Sequence, residues 1–154
     1  MNEQEASLII AHVCSAVKYL HKNGYVHRNL RPETILFESE SALSDIKIVD
    51  FISCIETKNI KEDDAMFSSL VTSDPNFRAP ELLLTKKTYD TKVDVWSCGA
   101  ILYNMITGIP PYLEKDMEST IEMIKTGKMS CSYPNYEEYS STELKNLIQS
   151  MLVV

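Results

Sequence analysis

The sequence predicts a mainly α fold, in which a helical bundle carries a small β-hairpin. Two observations predict it: four segments place apolar residues at helical spacing, and two short apolar runs flank a polar turn. The chain has 154 residues, of which 44% are hydrophobic and 24% are charged, a composition typical of a globular domain with one core.

The predicted helices share apolar residues that recur every three or four positions. They are Gln4–Lys22, Lys92–Ile106, Met117–Lys125 and Thr142–Leu152. Asn2 or Ser7 is expected to cap the first helix, and Asn23-Gly24 is a C-terminal stop signal. The helix from Lys92 is apolar on most sides, which predicts a buried central position.

The predicted hairpin pairs Ile35–Glu38 with Ile46–Val49 across a polar turn. Residues 53–78 are polar and lack periodicity, so we expect a long loop there. A second loop, containing Pro134, separates the last two helices.

The net charge of −7 argues against nucleic acid or an anionic membrane as a partner. It is compatible with a basic peptide partner, although an acidic surface also serves solubility alone. No apolar run approaches the roughly 20 residues that span a bilayer.

Four cysteines are present, and they form no C-x-x-C metal pair: Cys14, Cys54, Cys98 and Cys131. We expect reduced thiols, mostly buried as small apolar side chains, in a cytoplasmic protein.

Four motifs occur in a fixed order. They are HRNLRPETIL at 27–36, DFI at 50–52, APE at 79–81 and DVWSCG at 94–99. Together they resemble the C-terminal lobe of eukaryotic protein kinases, where the first two motifs usually read H-R-D-L-K-P-E-N-I-L and D-F-G. The resemblance covers roughly residues 5–152. Thr107–Tyr112 and the helix pattern after it are similar to the calcium/calmodulin-dependent and calcium-dependent kinases.

This resemblance implies that residues 1–154 form a kinase-like C-terminal lobe, whose β-hairpin carries the catalytic loop. No G-x-G-x-x-G and no preceding strand lysine occur in the sequence, so an N-terminal lobe and the last C-lobe helix are expected to lie outside these residues.

The resemblance also identifies altered catalytic positions. Asn29 replaces the catalytic Asp, Arg31 replaces Lys, and Thr34 replaces the magnesium-binding Asn. An amide is not basic, and a Thr hydroxyl is a poorer magnesium ligand than an Asn carbonyl. Leu36 would lie on the nucleotide side of the site.

Asp50 keeps the metal-binding position of D-F-G and is expected to hold magnesium only if nucleotide binds. Ile52 replaces the glycine of that motif, and its stiff β-branched side chain predicts restricted switching. Asp74 occupies a position where the family usually has Thr. It is expected either to pair with Arg31 or simply to begin a turn with Pro75.

Arg28 matches an Arg that often receives an activation-loop phosphate in the family, and Ser68, Ser69 and Thr72 are candidate acceptors. The alternative is that Arg28 bonds only to local backbone. Glu33, with the acidic residues of Glu114–Glu122, is a candidate surface for a basic peptide.

Four further positions are implied to be structural rather than chemical: His27, Phe51, Glu81 and Asp94. His27 and Phe51 match packing residues of the family, and Asp94 matches a buried acceptor for the catalytic-loop backbone. His12 and His21 lack partners at metal-ligand spacing and are interpreted as ordinary histidines.

The sequence therefore predicts a catalytically impaired pseudokinase that binds a protein or peptide partner. One alternative is a weakly active Ser/Thr kinase, and another is a truncated product without a stable role. No cofactor is expected for these residues, whereas ATP and magnesium would belong to the full-length protein. The apolar surface near Leu36 and Phe51 would favour self-association.

Overall fold

A computed structural model describes residues 1–39, 45–60, 75–84, 89–129, 136 and 140–154. The described part contains four α-helices and two pairs of short antiparallel strands. The helices are α1 (Glu3–Lys22), α2 (Lys92–Thr107), α3 (Met117–Thr126) and α4 (Thr142–Met151). The prediction of a mainly α fold is confirmed, and each predicted helix agrees with the structure to within one residue at either end.

Helix α1 begins at a reciprocal cap. The Asn2 side chain accepts a hydrogen bond from the Glu5 backbone at 2.9 Å, and the Glu5 carboxylate accepts one from the Asn2 backbone at 3.3 Å. The helix ends before Gly24, whose φ of +81° reverses the chain at no steric cost.

Helix α2 lies at the centre of the core between α1 and α4. Ten of its residues are buried, as its largely apolar sequence predicts. Helix α4 approaches it closely at Gly99, where an added Cβ would lie 2.8 Å from the Cβ of Met151. A side chain at position 99 would therefore separate the two helices.

The strands flank the loop at 27–34. Strand β2 (Ile35–Phe37) pairs with β3 (Ile46–Ile48), which confirms the predicted hairpin. Strand β1 (Tyr25–Val26), which the sequence does not predict, pairs with β4 (Ile55–Glu56), which lies in the predicted loop 53–78. A two-residue strand is too short to show alternation, which explains the difference.

Residues 61–74 and Pro134 lie outside the described residues, so those parts of the loop predictions are not addressed. The four described helices include none that is both long and apolar enough to cross a membrane.

Candidate functional site

Asp94, in the first turn of α2, organises the loop that follows β1. Its carboxylate is completely buried and accepts hydrogen bonds from the backbone N–H groups of His27 at 2.9 Å and Arg28 at 2.8 Å. The loop needs this support because Arg28 has a φ of +65°, which is uncommon for a residue with a side chain. The carboxylate thereby links the loop to the core helix.

A third partner of Asp94 is missed by sequence reasoning. Nε2 of His21, near the end of α1, lies 2.8 Å from Oδ2 of Asp94. His21 is predicted to be an ordinary histidine, because the contact joins residues far apart in the chain and no local pattern indicates it.

His27 is fully buried and is held on three sides. Its Nε2 donates to the Val49 carbonyl at 3.1 Å, its Nδ1 accepts from the Asn29 backbone at 3.3 Å, and Phe51 contacts the ring edge-on at 5.0 Å. Burial lowers the pKa of the imidazole, although the charges of Asp94 and Asp50 and the Val49 hydrogen bond oppose that shift. His27 is therefore neutral and packed, with no ring nitrogen available to a substrate.

Asn29 uses both ends of its amide. Nδ2 donates to Oδ2 of Asp50 at 3.0 Å, and Oδ1 accepts from Nη2 of Arg78 at 3.5 Å. The opposite amide orientation would place an oxygen against a carboxylate and a nitrogen against a guanidinium. Asn29 thus bridges Asp50 to Arg78, and its lone-pair end faces a cation rather than open space.

Thr34 is turned away from that bridge. Its hydroxyl donates to the Arg31 carbonyl at 2.9 Å and accepts from the Arg31 backbone N–H at 3.1 Å, and only 1% of the residue is exposed. The hydroxyl is therefore occupied in closing the tight turn Pro32–Thr34.

Arg31 supplies positive charge beside Asp50. Its Nη2 lies 4.0 Å from Oδ2 of Asp50, and its Nε lies 3.9 Å from Oε2 of Glu33. Nε is buried and makes no hydrogen bond within the described residues. The predicted pairing with Asp74 falls outside those residues and stays a prediction.

The family resemblance would imply a magnesium ion held by the side chains at positions 34 and 50. The Thr34 hydroxyl and the Asp50 carboxylate do not fit such an ion. Asp50 is the remaining carboxylate, and it already accepts from Asn29 and faces Arg31. The Thr34 hydroxyl is committed to Arg31 backbone groups. Among the described residues, no cluster of three His, Cys, Asp or Glu side chains is suited to a metal.

Asp50 is the left-handed residue of the DFI motif, with φ and ψ of +65° and +64°. Phe51 and Ile52 then enter a tight 3-10 turn that ends at Ser53, and a β-branched side chain fits there. Ile52 is 80% exposed. The position of the usual glycine therefore does not need glycine in this conformation, because the unusual backbone angles lie at Asp50.

Arg28 is buried, and its guanidinium bonds to two segments that are distant in the chain. Nε donates to the Ser53 carbonyl at 2.6 Å, and Nη1 donates to the Tyr89 hydroxyl at 2.7 Å. The guanidinium also lies 6.0 Å from the centre of the Tyr89 ring. Ser68, Ser69 and Thr72 lie outside the described residues, so phosphate pairing at Arg28 stays a prediction.

The remaining predicted positions lie around the site. Leu36 is 51% exposed on β2, and Phe51 is 49% exposed. Glu81 is half-buried in the short turn Pro80–Leu82. The Glu33 side chain is 66% exposed.

The cysteines correct one expectation. Cys98 is buried as predicted, but Cys14 is exposed although it borders the cleft between α1 and α2. The two thiols also share a hydrogen bond across α1 and α2. No sequence spacing indicates this contact, because it depends on how the two helices cross.

Comparison with known proteins identifies one family that matches the whole chain. A family model described as "Protein kinase domain" matches residues 1–154. The calcium/calmodulin-dependent protein kinase type II alpha chain of Drosophila melanogaster is 35% identical over 153 residues, which cover 99% of this chain and 28% of the relative. Calcium/calmodulin-dependent protein kinase type II of Caenorhabditis elegans is also 35% identical over 153 residues, with 99% and 20% covered. The chain thus spans only 20–28% of the length of these relatives.

Proposed function

Because the chain belongs to the protein kinase family, we propose that it is part of a catalytically impaired kinase that acts as a binding or regulatory module. The observation that carries this proposal is the hydrogen bond from the Asn29 amide to Asp50 at 3.0 Å. It supports the proposal because an uncharged donor occupies the position where the family has its base.

Loss of the base has a large expected effect on phosphoryl transfer. A carboxylate at this position would accept the hydroxyl proton of the substrate and orient its oxygen for attack. The Asn29 oxygen is instead directed at Arg78, and an amide does not take up a proton at neutral pH. Removing a general base typically lowers the rate ~10²–10⁴-fold.

The charges around position 29 favour a site that is complete without nucleotide. Arg31 balances Asp50, and Asn29 links Asp50 to Arg78. Thr34 stabilises its own turn rather than offering a ligand. We accordingly propose no cofactor for these residues, and we assign ATP and magnesium, if used at all, to the full-length protein.

For the binding role, the acidic surface favours a basic peptide as partner. Glu33 is 66% exposed, and Asp116 and Glu118 are exposed at the start of α3. Leu113 and Met117 expose apolar side chains beside these carboxylates. A peptide with basic and apolar residues would match both features, whereas the net charge of −7 disfavours nucleic acid.

The activity test uses the full-length protein with ATP, magnesium and a basic peptide. We expect turnover at least ~10²-fold below that of an active relative, as loss of a general base implies. We also expect Asp50→Ala to leave any residual signal unchanged. Turnover at ordinary enzyme rates that Asp50→Ala abolishes would instead establish the alternative, a Ser/Thr kinase. The double variant Asn29→Asp with Thr34→Asn is the matched gain-of-function control.

The binding test titrates the same basic peptide by calorimetry. We expect Glu33→Gln and Glu118→Gln each to weaken binding, and Glu143→Gln, which changes an exposed carboxylate on α4, to leave it unchanged. Equal effects of all three variants would indicate only long-range charge, and the peptide site would then be rejected.

A further inference from the structure

Cys14 and Cys98 face each other where α1 crosses α2. Cys14 is exposed on α1, whereas Cys98 is 1% exposed on α2. The two thiols interact through a side-chain hydrogen bond across this crossing. Cys14 is thus accessible to solvent, whereas Cys98 lies in the interior beside the same cleft.

Both cysteines line the same surface cleft. It has a volume of about 380 Å³ and is bordered by the apolar Val17 and Val95 and by cationic side chains of α1. Lys18 and Lys22 lie on this border, so the cleft presents positive charge to an anion that forms on sulfur.

The hydrogen bond gives the two thiols different roles. Cys98 acts as the donor, and this lowers the pKa of Cys14 to about 7, although partial burial opposes the shift. The pKa of Cys98 is raised well above its usual range, first by that hydrogen bond and then by burial. Cys14 is therefore the nucleophile at neutral pH, while Cys98 keeps its proton.

We propose that Cys14 is a site of reversible oxidation by hydroperoxides and that Cys98 is its resolving thiol. The Cys14 thiolate attacks one peroxide oxygen, so an S–O bond forms and the O–O bond breaks. The departing hydroxide or alkoxide takes up a proton. Cys98 then loses its proton and attacks the Cys14 sulfur, which forms the disulfide and releases water. The peroxide gains the two electrons that the thiols lose, and a thiol reductant reverses the change.

The bridge would act on the loop that Asp94 supports. Asp94 lies one turn before Cys98 on α2, and His21 lies two turns after Cys14 on α1, so the Asp94–His21 contact belongs to the same helix crossing. Fixing α1 to α2 at the cysteines therefore restrains the helices that position His27 and Arg28.

The first test treats the protein with hydrogen peroxide, then blocks remaining thiols under denaturing conditions and maps cysteine linkages by mass spectrometry. We expect a Cys14–Cys98 disulfide. Cys98→Ser should stop at the Cys14 sulfenic acid, which dimedone traps, and Cys14→Ser should give neither product. Cys54→Ser is the matched control, because burial raises the pKa of that thiol, and it should behave like the parent protein.

A bridge from either thiol to Cys54 or Cys131, or no oxidation at Cys14, would overturn the assignment.

The second test needs no variant and measures the alkylation rate of Cys14 against pH. The groups around the cleft are Lys18, His21 and Lys22 from α1, with Cys98 and Asp94 from α2. We expect a midpoint near pH 7 and a rate at pH 7 about threefold that of an unstructured cysteine peptide, because the larger thiolate fraction outweighs the lower nucleophilicity. An ordinary midpoint would refute the proposal.

Discussion

The buried carboxylate of Asp94 offers a direct test of what holds the loop in place. Asp94→Asn keeps the size of the side chain but replaces one oxygen with an NH₂ group. Whichever way the amide turns, that group faces an N–H donor, either of Arg28 or of His27. At least one charged hydrogen bond is lost, and a donor is left unpaired in a fully buried position.

The magnitude follows from those two losses. A hydrogen bond to a charged group contributes about 1.5–3 kcal/mol, and an unsatisfied buried polar group costs about 1–3 kcal/mol. Since the two terms overlap, we expect the free energy of unfolding to fall by about 2–4 kcal/mol. That is a large part of the roughly 5–15 kcal/mol that stabilises a typical domain.

The assay is urea unfolding followed by the fluorescence of Trp96, which is the single tryptophan and is 2% exposed on α2. Glu118→Gln makes the same chemical change at an exposed carboxylate and should alter stability by less than about 0.5 kcal/mol. Hydrogen exchange at the His27 and Arg28 amides should also accelerate in Asp94→Asn. If the two variants unfold alike, the carboxylate does not organise the loop as argued.

Four further changes test other parts of the structure. Gly99→Ala should destabilise the fold by about 1–3 kcal/mol in urea unfolding, because its Cβ would overlap α4. Ser141→Ala should cost about 1 kcal/mol in the same assay, since its hydroxyl caps α4. Because burial lowers the pKa of His27, stability should fall as pH drops below about 6.5, by at most about 1.4 kcal/mol per pH unit, and His27→Gln should flatten that slope between pH 7 and 5.5. Asn29→Asp would place a second carboxylate about 3 Å from Asp50, so the pair should take up a proton more readily. The Asn29→Asp variant should therefore lose more stability relative to the parent protein as pH rises from 4 to 7. A stability difference that does not change with pH would contradict the geometry.

Local signals in the sequence predict most of the helical framework. The first helix begins at an Asn2 cap and ends at Gly24, and both features are encoded within a few residues. The kinase resemblance, including the likeness to the calcium/calmodulin-dependent group, is likewise confirmed, because its motifs are short, ordered and nearly span the chain.

Contacts between distant segments could not be predicted in the same way. The His21–Asp94 and Cys14–Cys98 pairs both arise where α1 crosses α2, and helix periodicity does not determine which residues meet at a crossing. Strands β1 and β4 are not predicted, because two-residue strands show no alternation. Ile52 shows a subtler limit: sequence identifies the lost glycine, but only the backbone angles show that Asp50 takes the left-handed conformation.

The altered positions support one another physically, which is why they are better considered together than singly. With a carboxylate at position 29, Asp50 would face a like charge at about 3 Å, and a cation between them would be needed to relieve the repulsion. The amide of Asn29 removes that need by donating to Asp50 directly. Thr34 then has no cation to bind, and its hydroxyl stabilises the turn at Arg31, whose guanidinium faces Asp50. Each change makes the next less costly, so restoring one residue alone should disturb the site more than restoring Asn29→Asp and Thr34→Asn together.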